Sequence, residues 1–167
     1  MTPVALPPPI WACSFELEAR PKAWARARTR NGIQFEARDQ KEHKATLIAL
    51  AAPHAPERPH DGPVTVGLEC RLPIATSWPK WEQEAAEAGM LFPTGAPDVD
   101  NLAKMVLDAL TRSGRWWTDD ARVIGFHCGP WKVYSRTPGT SVEVCFYREL
   151  GAAAEWKSMR LKAHDAR

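Results

Sequence analysis

The chain has 167 residues, 44% of them hydrophobic and 25% charged, which is the composition of an ordinary globular domain with a sizeable core. Its net charge of +2, from 22 basic and 20 acidic residues, excludes a protein that binds nucleic acid through bulk charge alone. Because no apolar run approaches the roughly 20 residues of a membrane-spanning helix and the N-terminus has no signal-peptide pattern, we expect a soluble cytoplasmic protein.

The first half of the chain predicts two strands, a basic loop and a helix. Residues 1–9 contain four prolines, and we expect them to form an extended lead-in. Alternating apolar residues predict a strand over residues 10–19, and the Asn-Gly pair at 31–32 predicts a turn in the loop or hairpin that follows. A helical pattern covers residues 35–52, and clean alternation predicts the next strand over residues 64–72.

The second half predicts two helices followed by two strands. Ser77 is typical of the N-cap of a short helix that ends at Gly89. A longer helix covers residues 98–114, and further strands are predicted over residues 123–128 and 141–147. The longer helix carries one apolar stripe, which we expect to pack on the sheet: Leu102, Val106, Ala109 and Leu110.

The order of these elements, β-α-β-α-α-β-β, predicts an α+β domain with a small mixed sheet of about four strands and helices packed on it. We expect this single domain to cover residues 10–148 and a helical tail to cover residues 149–167. The cysteines form no Cys-x-x-Cys pair, so they indicate neither a zinc site nor a disulfide framework. Each is expected to be a buried free thiol in a strand-like run: Cys13, Cys70, Cys128 and Cys145.

Charge is segregated along the chain. Five basic residues and no acid lie between residues 20 and 30, and five acids and no base lie between residues 81 and 100. This pattern predicts a phosphate-binding surface beside an acidic pocket, although two solvated faces would give the same pattern. The basic residues are Arg20, Lys22, Arg26, Arg28 and Arg30, and the acids are Glu82, Glu84, Glu87, Asp98 and Asp100.

The longer helix opens on two carboxylates. Asp98 lies at the N-cap and Asp100 in the first turn, where the helix dipole favours ionised side chains. Two ionised carboxylates this close repel each other unless a cation lies between them, and Mg²⁺ prefers hard oxygen ligands. Asp119 or Asp120 can supply the remaining ligand if the strand that follows packs beside the start of the helix. Lys104, one turn after Asp100, can then neutralise a phosphate.

A structural explanation of the same residues stays open. An ordinary N-cap aspartate with surface Asp–Lys pairs would account for Asp98, Asp100 and Lys104 without a metal. We interpret Asp108, four residues after Lys104, as a member of such a pair. The chain has no Gly-x-x-x-x-Gly-Lys-Ser/Thr loop, so no nucleotide cofactor is expected. The histidines show no metal-ligand spacing, and His127, in an apolar strand, is interpreted as structural.

Three short patterns in this region resemble the signature of the RusA family of Holliday-junction resolvases: Asp98-Val-Asp-Asn-Leu-x-Lys104, Asp108-Ala-Leu and Trp-x-Asp-Asp120-Ala-Arg-Val. The resemblance implies a RusA-like homodimer that cleaves branched DNA, four-way junctions above all, in recombination and repair. It also implies Mg²⁺ as the cofactor, with Mn²⁺ as a substitute. Members of this family are endodeoxyribonucleases that make paired symmetric cuts, and many are carried by prophages.

The resemblance also implies roles for individual residues. By the family pattern, Asp98, Asp100 and Asp120 match the metal-binding catalytic aspartates, and Lys104 matches the essential lysine. Asp119 matches the acid of the Asp-Asp pair with the lesser role, beside the metal ligands. Basic residues are expected to grip the DNA backbone and tryptophans to stack on unpaired bases. These are Lys22, Arg26, Arg28 and Arg30, and Trp24, Trp116 and Trp117.

Two functions of other classes are also compatible with the sequence. One is a catalytically silent module that binds DNA junctions, which would keep the basic loop but would not need the acids at positions 98, 100 and 120. The other is a metal-dependent phosphoesterase that acts on small substrates, which would not need the basic loop. A small-substrate phosphoesterase should lack the salt-dependent DNA binding that is expected of the nuclease. A silent junction-binding module should bind DNA but lack metal-dependent cleavage.

Overall fold

The computed structural model describes residues 6–25, 28–30 and 33–148, with the backbone alone for residues 28–30 and 33–35. The predicted helical tail over residues 149–167 and the predicted DNA contact Arg26 lie outside these residues. Of the proline-rich lead-in, residues 6–9 are described, and they form neither helix nor strand.

The described chain forms strands and helices in the predicted order, with a short ribbon added after the first strand. The strands are β1 (Trp11–Leu17), β2 (Arg28–Arg30), β3 (Ile33–Phe35), β4 (Val64–Pro73), β5 (Val123–Ser135) and β6 (Gly139–Phe146). The helices are α1 (Arg38–Ala51), α2 (Lys80–Glu87) and α3 (Val99–Ser113), with 3₁₀ turns at Ala52–His54 and Asp120–Arg122. None of the helices in the described part of the chain is long and apolar enough to cross a membrane.

The main sheet has four strands in the order β1-β6-β4-β5. β6 runs antiparallel to both of its neighbours, so that Val142 lies opposite Phe15 on one side and opposite Leu68 on the other. β4 and β5 run parallel, and the connection between them contains α2 and α3, because parallel strands need a crossover. The sheet is therefore mixed, and the predicted α+β architecture with about four strands is confirmed.

β2 and β3 form a separate two-stranded antiparallel ribbon. Its register pairs Arg30 with Ile33 and Arg28 with Phe35, so the two strands are joined across positions 31 and 32. The Asn-Gly pair at these positions is the strongest short-range signal for such a hairpin. The antiparallel pairing expected of a hairpin is confirmed, whereas the predicted Asn-Gly turn lies outside the described residues, and β2 carries two of the basic positions of the N-terminal segment.

The hydrophobic core lies between one face of the sheet and helices α1 and α3. Val64, Val66 and Leu68 alternate along β4 with residues of the opposite face, and they pack in one cluster with Met105 and Ala109 of α3. All five side chains are buried, and a fully buried Val, Leu or Met side chain contributes about 1.5–3 kcal/mol to folding. This packing fixes α3, and therefore its N-terminus, on the sheet.

The predicted apolar stripe of α3 is confirmed. Its four residues are all buried: Leu102, Val106, Ala109 and Leu110. The helix ends as predicted at Gly114, whose φ of 64° is in the left-handed region that side chains with a Cβ rarely adopt. The next residues, Arg115 to Thr118, lead back toward the sheet, and His60 and Trp117 form a short parallel bridge there.

The fifth strand is longer than predicted. The prediction ended it at Cys128 before the Gly-Pro pair, but β5 continues to Ser135. Gly67 of β4 pairs with Cys128 of β5, and Glu69 pairs with Trp131. β5 therefore has one more residue than β4 between these two pairs, and the extra residue forms a bulge. Gly129, with a φ of 76°, suits this bulge because a Cβ there would lie 2.3 Å from the Leu68 carbonyl oxygen.

Two smaller predictions are wrong. Ser77 does not cap α2, since the helix begins after Pro79 and that N-cap makes no side-chain hydrogen bond. Cys128 is exposed and Cys13 half-buried, whereas Cys70 and Cys145 are buried as expected. The bulge in β5 changes the alternation at Cys128, which explains why a periodicity argument placed that thiol inside.

The proposed stacking role of two tryptophans is also wrong. Trp116 and Trp117 are 0% and 1% exposed. Trp116 stacks on Phe15 with ring centroids 4.9 Å apart, and the Trp117 indole N–H donates to the Thr111 hydroxyl at 2.8 Å. Both rings anchor the segment after α3 in the core, because a large aromatic surface gains more by burial than by exposure. Neither can reach a DNA base.

Candidate active site

Two carboxylates open α3, as the sequence predicts. Asp98 occupies the N-cap with an extended backbone (φ −71°, ψ 141°), but its side chain makes no capping hydrogen bond. Asp100 lies in the first turn, and both side chains are exposed. Neither carboxylate forms an ion pair with another described residue. The helix N-terminus therefore presents two acids whose oxygens are not committed to the fold.

The second pair of acids lies in the 3₁₀ turn between α3 and β5. Asp119 caps this turn, because its Oδ1 accepts the backbone N–H of Ala121 at 2.8 Å. That hydrogen bond lowers the pKa of the Asp119 carboxyl. Asp120 begins the turn itself and is exposed. The turn thus commits Asp119 to the backbone and leaves Asp120 directed to the cleft described next.

Asp100, Lys104 and Asp120 line one cleft of about 640 Å³ between α3 and the start of β5. Asp98 and Asp119 are not among the residues that line it. In the described part of the chain, one group of residues brings three ligand atoms within 4.8 Å of one another, and none of these aspartates belongs to it. The aspartates therefore do not converge that closely. The acids border an open cleft, in which waters and a substrate would complete the coordination of a cation.

The acids in and beside this cleft fit a hard divalent cation, with Asp100 and Asp120 in its lining and Asp98 two residues before Asp100. Asp98, Asp100 and Asp120 offer carboxylate oxygens only, and Mg²⁺ is usually bound through a few carboxylates together with waters and substrate phosphate. All three side chains are exposed. Their oxygens are therefore available to a cation without the loss of an existing ion pair.

Lys104 is held in place by an aromatic ring from the N-terminal segment. Its Nζ lies 4.6 Å from the centroid of the Trp24 ring, a cation–π contact. The Trp24 backbone N–H donates to the carbonyl oxygen of Asn101 at 2.8 Å, which ties that segment to the first turns of α3. Trp24, predicted as a DNA contact, is half-buried and lies against the predicted phosphate-binding lysine.

The other predicted DNA contacts are not among the residues that line the cleft. Lys22 forms an ion pair with Asp39 of α1, and this pairing lowers the pKa of the Asp39 carboxyl. An exposed pair of this kind stabilises the fold little, so a phosphate can take the place of the carboxylate. Arg28 and Arg30 lie in β2 of the ribbon, where the structure describes their backbone.

A buried ion-pair network at one wall of the cleft was not predicted. Lys44 of α1 is 6% exposed, and its Nζ lies 2.7 Å from Glu36 Oε1 and 3.7 Å from Asp108 Oδ2. Arg112 also reaches Glu36, at 3.1 Å. The pKa of Glu36 lies below its usual value, and the hydrogen bond from the Lys44 ammonium is the largest cause. Asp108 is therefore structural as predicted, but its partner is Lys44 and not Lys104.

The loop that carries Asp98 is held by a lysine that no sequence pattern distinguishes from the others. Lys132 of β5 donates its ammonium protons to the carbonyl oxygens of Gly95, at 2.6 Å, and Pro97, at 3.0 Å. These bonds fix the residues immediately before Asp98. No local pattern could have shown this contact, because the lysine lies more than 30 residues further along the chain.

Comparisons with known proteins agree with this arrangement. A family model described as "Endodeoxyribonuclease RusA" matches residues 16–145. The chain is also 34% identical over 145 residues to "Uncharacterized protein YqaN" of Bacillus subtilis (strain 168), an alignment that covers 83% of this chain and 96% of that protein. The matched residues include the last two residues of β1, the ribbon, all three helices and the cleft. The chain therefore belongs to the RusA endodeoxyribonuclease family.

Proposed function

We propose that this protein is a magnesium-dependent endodeoxyribonuclease that resolves Holliday junctions by paired symmetric phosphodiester cleavage in DNA recombination and repair. One observation carries the proposal. In a chain of the RusA family, an acid from the start of α3 and an acid from the turn before β5 line one cleft together with Lys104. This is the minimum set for metal-assisted attack on a phosphodiester, namely oxygen ligands for a cation and a positive charge for the phosphate.

Each residue of the site has a role in this proposal. Asp98, Asp100 and Asp120 would hold Mg²⁺, or Mn²⁺ in its place. Held there, the ion would supply the Lewis acidity that activates a water and stabilises the leaving oxyanion. Lys104 contacts the scissile phosphate and offsets the charge that develops there, while the Trp24 ring keeps its ammonium beside α3. Asp119 orders the turn that presents Asp120.

The DNA-binding surface combines the N-terminal segment and the ribbon. Lys22 and Trp24 lie beside α1 and α3, and Arg28 and Arg30 follow in β2. With Arg26, these basic residues would grip the phosphate backbone on either side of the scissile bond, which gives an affinity that falls steeply with salt. Trp24 can add contact with an unpaired base.

The proposed assembly is a homodimer. A four-way junction offers two equivalent strands for cutting, and a twofold-symmetric pair of protomers presents one cleft to each. The domain proposed to act in this way covers residues 10–148, and the reaction would take place in the cytoplasm on branched DNA, without a nucleotide cofactor.

The experiment compares three labelled substrates, namely a four-way junction, a fork and a linear duplex of the same sequence, each with and without Mg²⁺. The proposal predicts Mg²⁺-dependent nicks at symmetric positions near the crossover of the four-way junction. Equal cutting of all three substrates would point to a general nuclease. Binding without cutting would indicate a silent junction-binding module, and cleavage of a small phosphodiester without DNA binding would indicate a small-molecule phosphoesterase.

A further inference from the structure

A second group of potential metal ligands lies on the opposite face of the sheet from α1 and α3. Glu143 and Cys145 of β6 alternate with Val144 and Phe146, whose side chains are in the core, so the acid and the thiol point away from the helices. His127 of β5 reaches toward them from the far side of β4. In the described part of the chain, these three residues alone bring one ligand atom each within 4.8 Å of the other two.

The spacing within this group matches that of ligands around one small ion. His127 Nε2 lies 3.2 Å from Glu143 Oε2. Around a tetrahedral zinc ion with bonds of about 2.0–2.1 Å to nitrogen and oxygen, neighbouring ligand atoms lie about 3.3 Å apart. The set of imidazole nitrogen, thiol sulfur and carboxylate oxygen is the kind that zinc accepts in proteins.

The central strand leaves room for this arrangement at one residue. Gly67 lies in the middle of β4, between β5 and β6, and a Cβ at this position would lie 2.9 Å from His127 Nε2. A glycine inside a strand weakens it and often marks a place where another group approaches closely. Here its missing side chain lets His127 reach across β4 to β6.

The imidazole is also held in the orientation that a ligand needs. His127 Nδ1 lies 2.9 Å from the hydroxyl oxygen of Thr65, and that hydroxyl lies 3.2 Å from the Tyr147 hydroxyl. Thr65 is 2% exposed. When Nδ1 donates to Thr65, Nε2 carries the lone pair and lies 3.2 Å from Glu143 Oε2, as for metal-bound histidines whose second nitrogen donates to a fixed partner.

We propose that His127, Glu143 and Cys145 form a zinc-binding site that joins β5 to β6 across Gly67 of β4. Glu143 is 48% exposed and borders an open cleft of about 330 Å³, so a water can occupy the fourth position. The site is distinct from the proposed catalytic cleft in its face of the sheet and in its donors. A bound ion would link β5 to β6 across the strand between them.

Zinc binds cysteine as the thiolate, so the thiol of Cys145 must give up its proton when the ion binds. A dication among the three groups attracts the thiolate and the carboxylate together, which offsets their mutual repulsion.

The test uses the purified full chain, with zinc and cobalt as probes. We expect one zinc ion per chain by equilibrium dialysis, a melting temperature that rises with zinc concentration, and a near-ultraviolet thiolate-to-cobalt absorption band. Cys145→Ser removes the band, and His127→Gln weakens zinc binding by at least about tenfold. Thr65→Val, which removes the partner of Nδ1, weakens it by about 10–100-fold.

Two control variants separate this site from its surroundings and from the proposed function. Cys128→Ser changes the exposed cysteine of the neighbouring strand and is expected to keep the cobalt band, and Asp100→Asn is expected to keep zinc binding. The proposal is overturned if the native chain binds no zinc, which would leave a plain imidazole–carboxylate pair. It is equally overturned if the band survives in Cys145→Ser and disappears in Cys128→Ser.

Discussion

The residue pair Trp24 and Lys104 links the N-terminal segment to the proposed chemistry. A cation–π contact contributes about 0.5–2 kcal/mol, depending on its desolvation. If the ring keeps the ammonium in place for the phosphate, Trp24→Ala is expected to lower the rate of junction cleavage by roughly 2–30-fold, whereas Trp24→Phe keeps most of the rate. Single-turnover cleavage of the junction, with Lys104→Ala as the background for a double-variant cycle, measures this contribution.

In that cycle the two changes must not be additive. With Lys104 already replaced, Trp24→Ala is expected to have little further effect on the rate, because the ring then has no ammonium to hold. An equal effect of Trp24→Ala in both backgrounds would assign Trp24 to DNA binding alone.

Glu36 gives the fold a defined dependence on pH. Its pKa lies below the usual value of 4.5, so its ion pairs stabilise the protein fully above that pH, and this contribution is lost as the pH falls through the lowered value. Glu36→Gln is therefore expected to reduce the free energy of unfolding at pH 7 by about 1–3 kcal/mol, and by less in acid. Urea unfolding of both proteins across this range measures the difference.

The exposed Glu84→Gln on α2 is the matched control for this experiment, and its stability should follow that of the native protein at every pH. A difference between native protein and Glu36→Gln that stays constant from neutral pH into acid would show that the carboxylate charge is not what stabilises the network.

At the scale of elements, the loop before α3 depends on a residue in β5. Lys132 donates to the carbonyl oxygens of Gly95 and Pro97, and so it positions the backbone that leads to Asp98. Lys132→Met is expected to raise the Mg²⁺ concentration needed for half-maximal cleavage several-fold, while the affinity for junction DNA stays close to native. Lys132→Arg should recover part of the loss, since a guanidinium can still donate to the two carbonyls.

The control for this positioning role is Lys80→Met, which removes an exposed lysine of α2. A Lys132→Met protein with the native Mg²⁺ dependence would show that the loop holds Asp98 without this anchor.

The β2–β3 ribbon is the element proposed to grip DNA. Each lysine or arginine that contacts a phosphate adds about one to the slope of log affinity against log salt concentration. The double variant Arg28→Ala and Arg30→Ala is therefore expected to bind junctions more weakly and to lower that slope by about 1–2. Fluorescence anisotropy over a range of salt concentrations measures both quantities. Arg136→Ala, at an exposed arginine outside the ribbon, is the control, and an unchanged slope in the double variant would remove the ribbon from the interface.

At the scale of the whole molecule, local sequence patterns predicted most of the fold. The apolar stripe of α3 favours a helix, the alternation in β4 favours a strand, and the Asn-Gly pair favours a hairpin. The folded protein forms the corresponding elements, α3, β4 and the β2–β3 ribbon. The extent of β5 was not predictable in the same way, because its bulge depends on the spacing of the partner strand at Gly67. Trp116 and Trp117 show a further limit, since tryptophans in a polar segment suit both a core and a stacking surface.

The candidate site was predictable in its acids and in Lys104. Asp98, Asp100 and Asp120 could be selected because they occur in a compact pattern around one helix, and the fold places the last two in one cleft with Lys104. Lys44 and Lys132 could not be selected, because what distinguishes them is burial and contact with residues far away in the chain. The local sequence around a charged residue in a half-polar helix or strand does not indicate whether its side chain makes such a contact.

The acids of this cleft are proposed to be required for DNA cleavage and not for DNA binding. The most direct measurement compares junction binding and Mg²⁺-dependent junction cleavage for Asp100→Asn and Asp120→Asn, with Glu84→Gln as the control acid outside the cleft. We predict that both cleft variants bind the four-way junction with native affinity and lose cleavage, while the control cuts normally. Cleavage at the native rate in either cleft variant would contradict the claim.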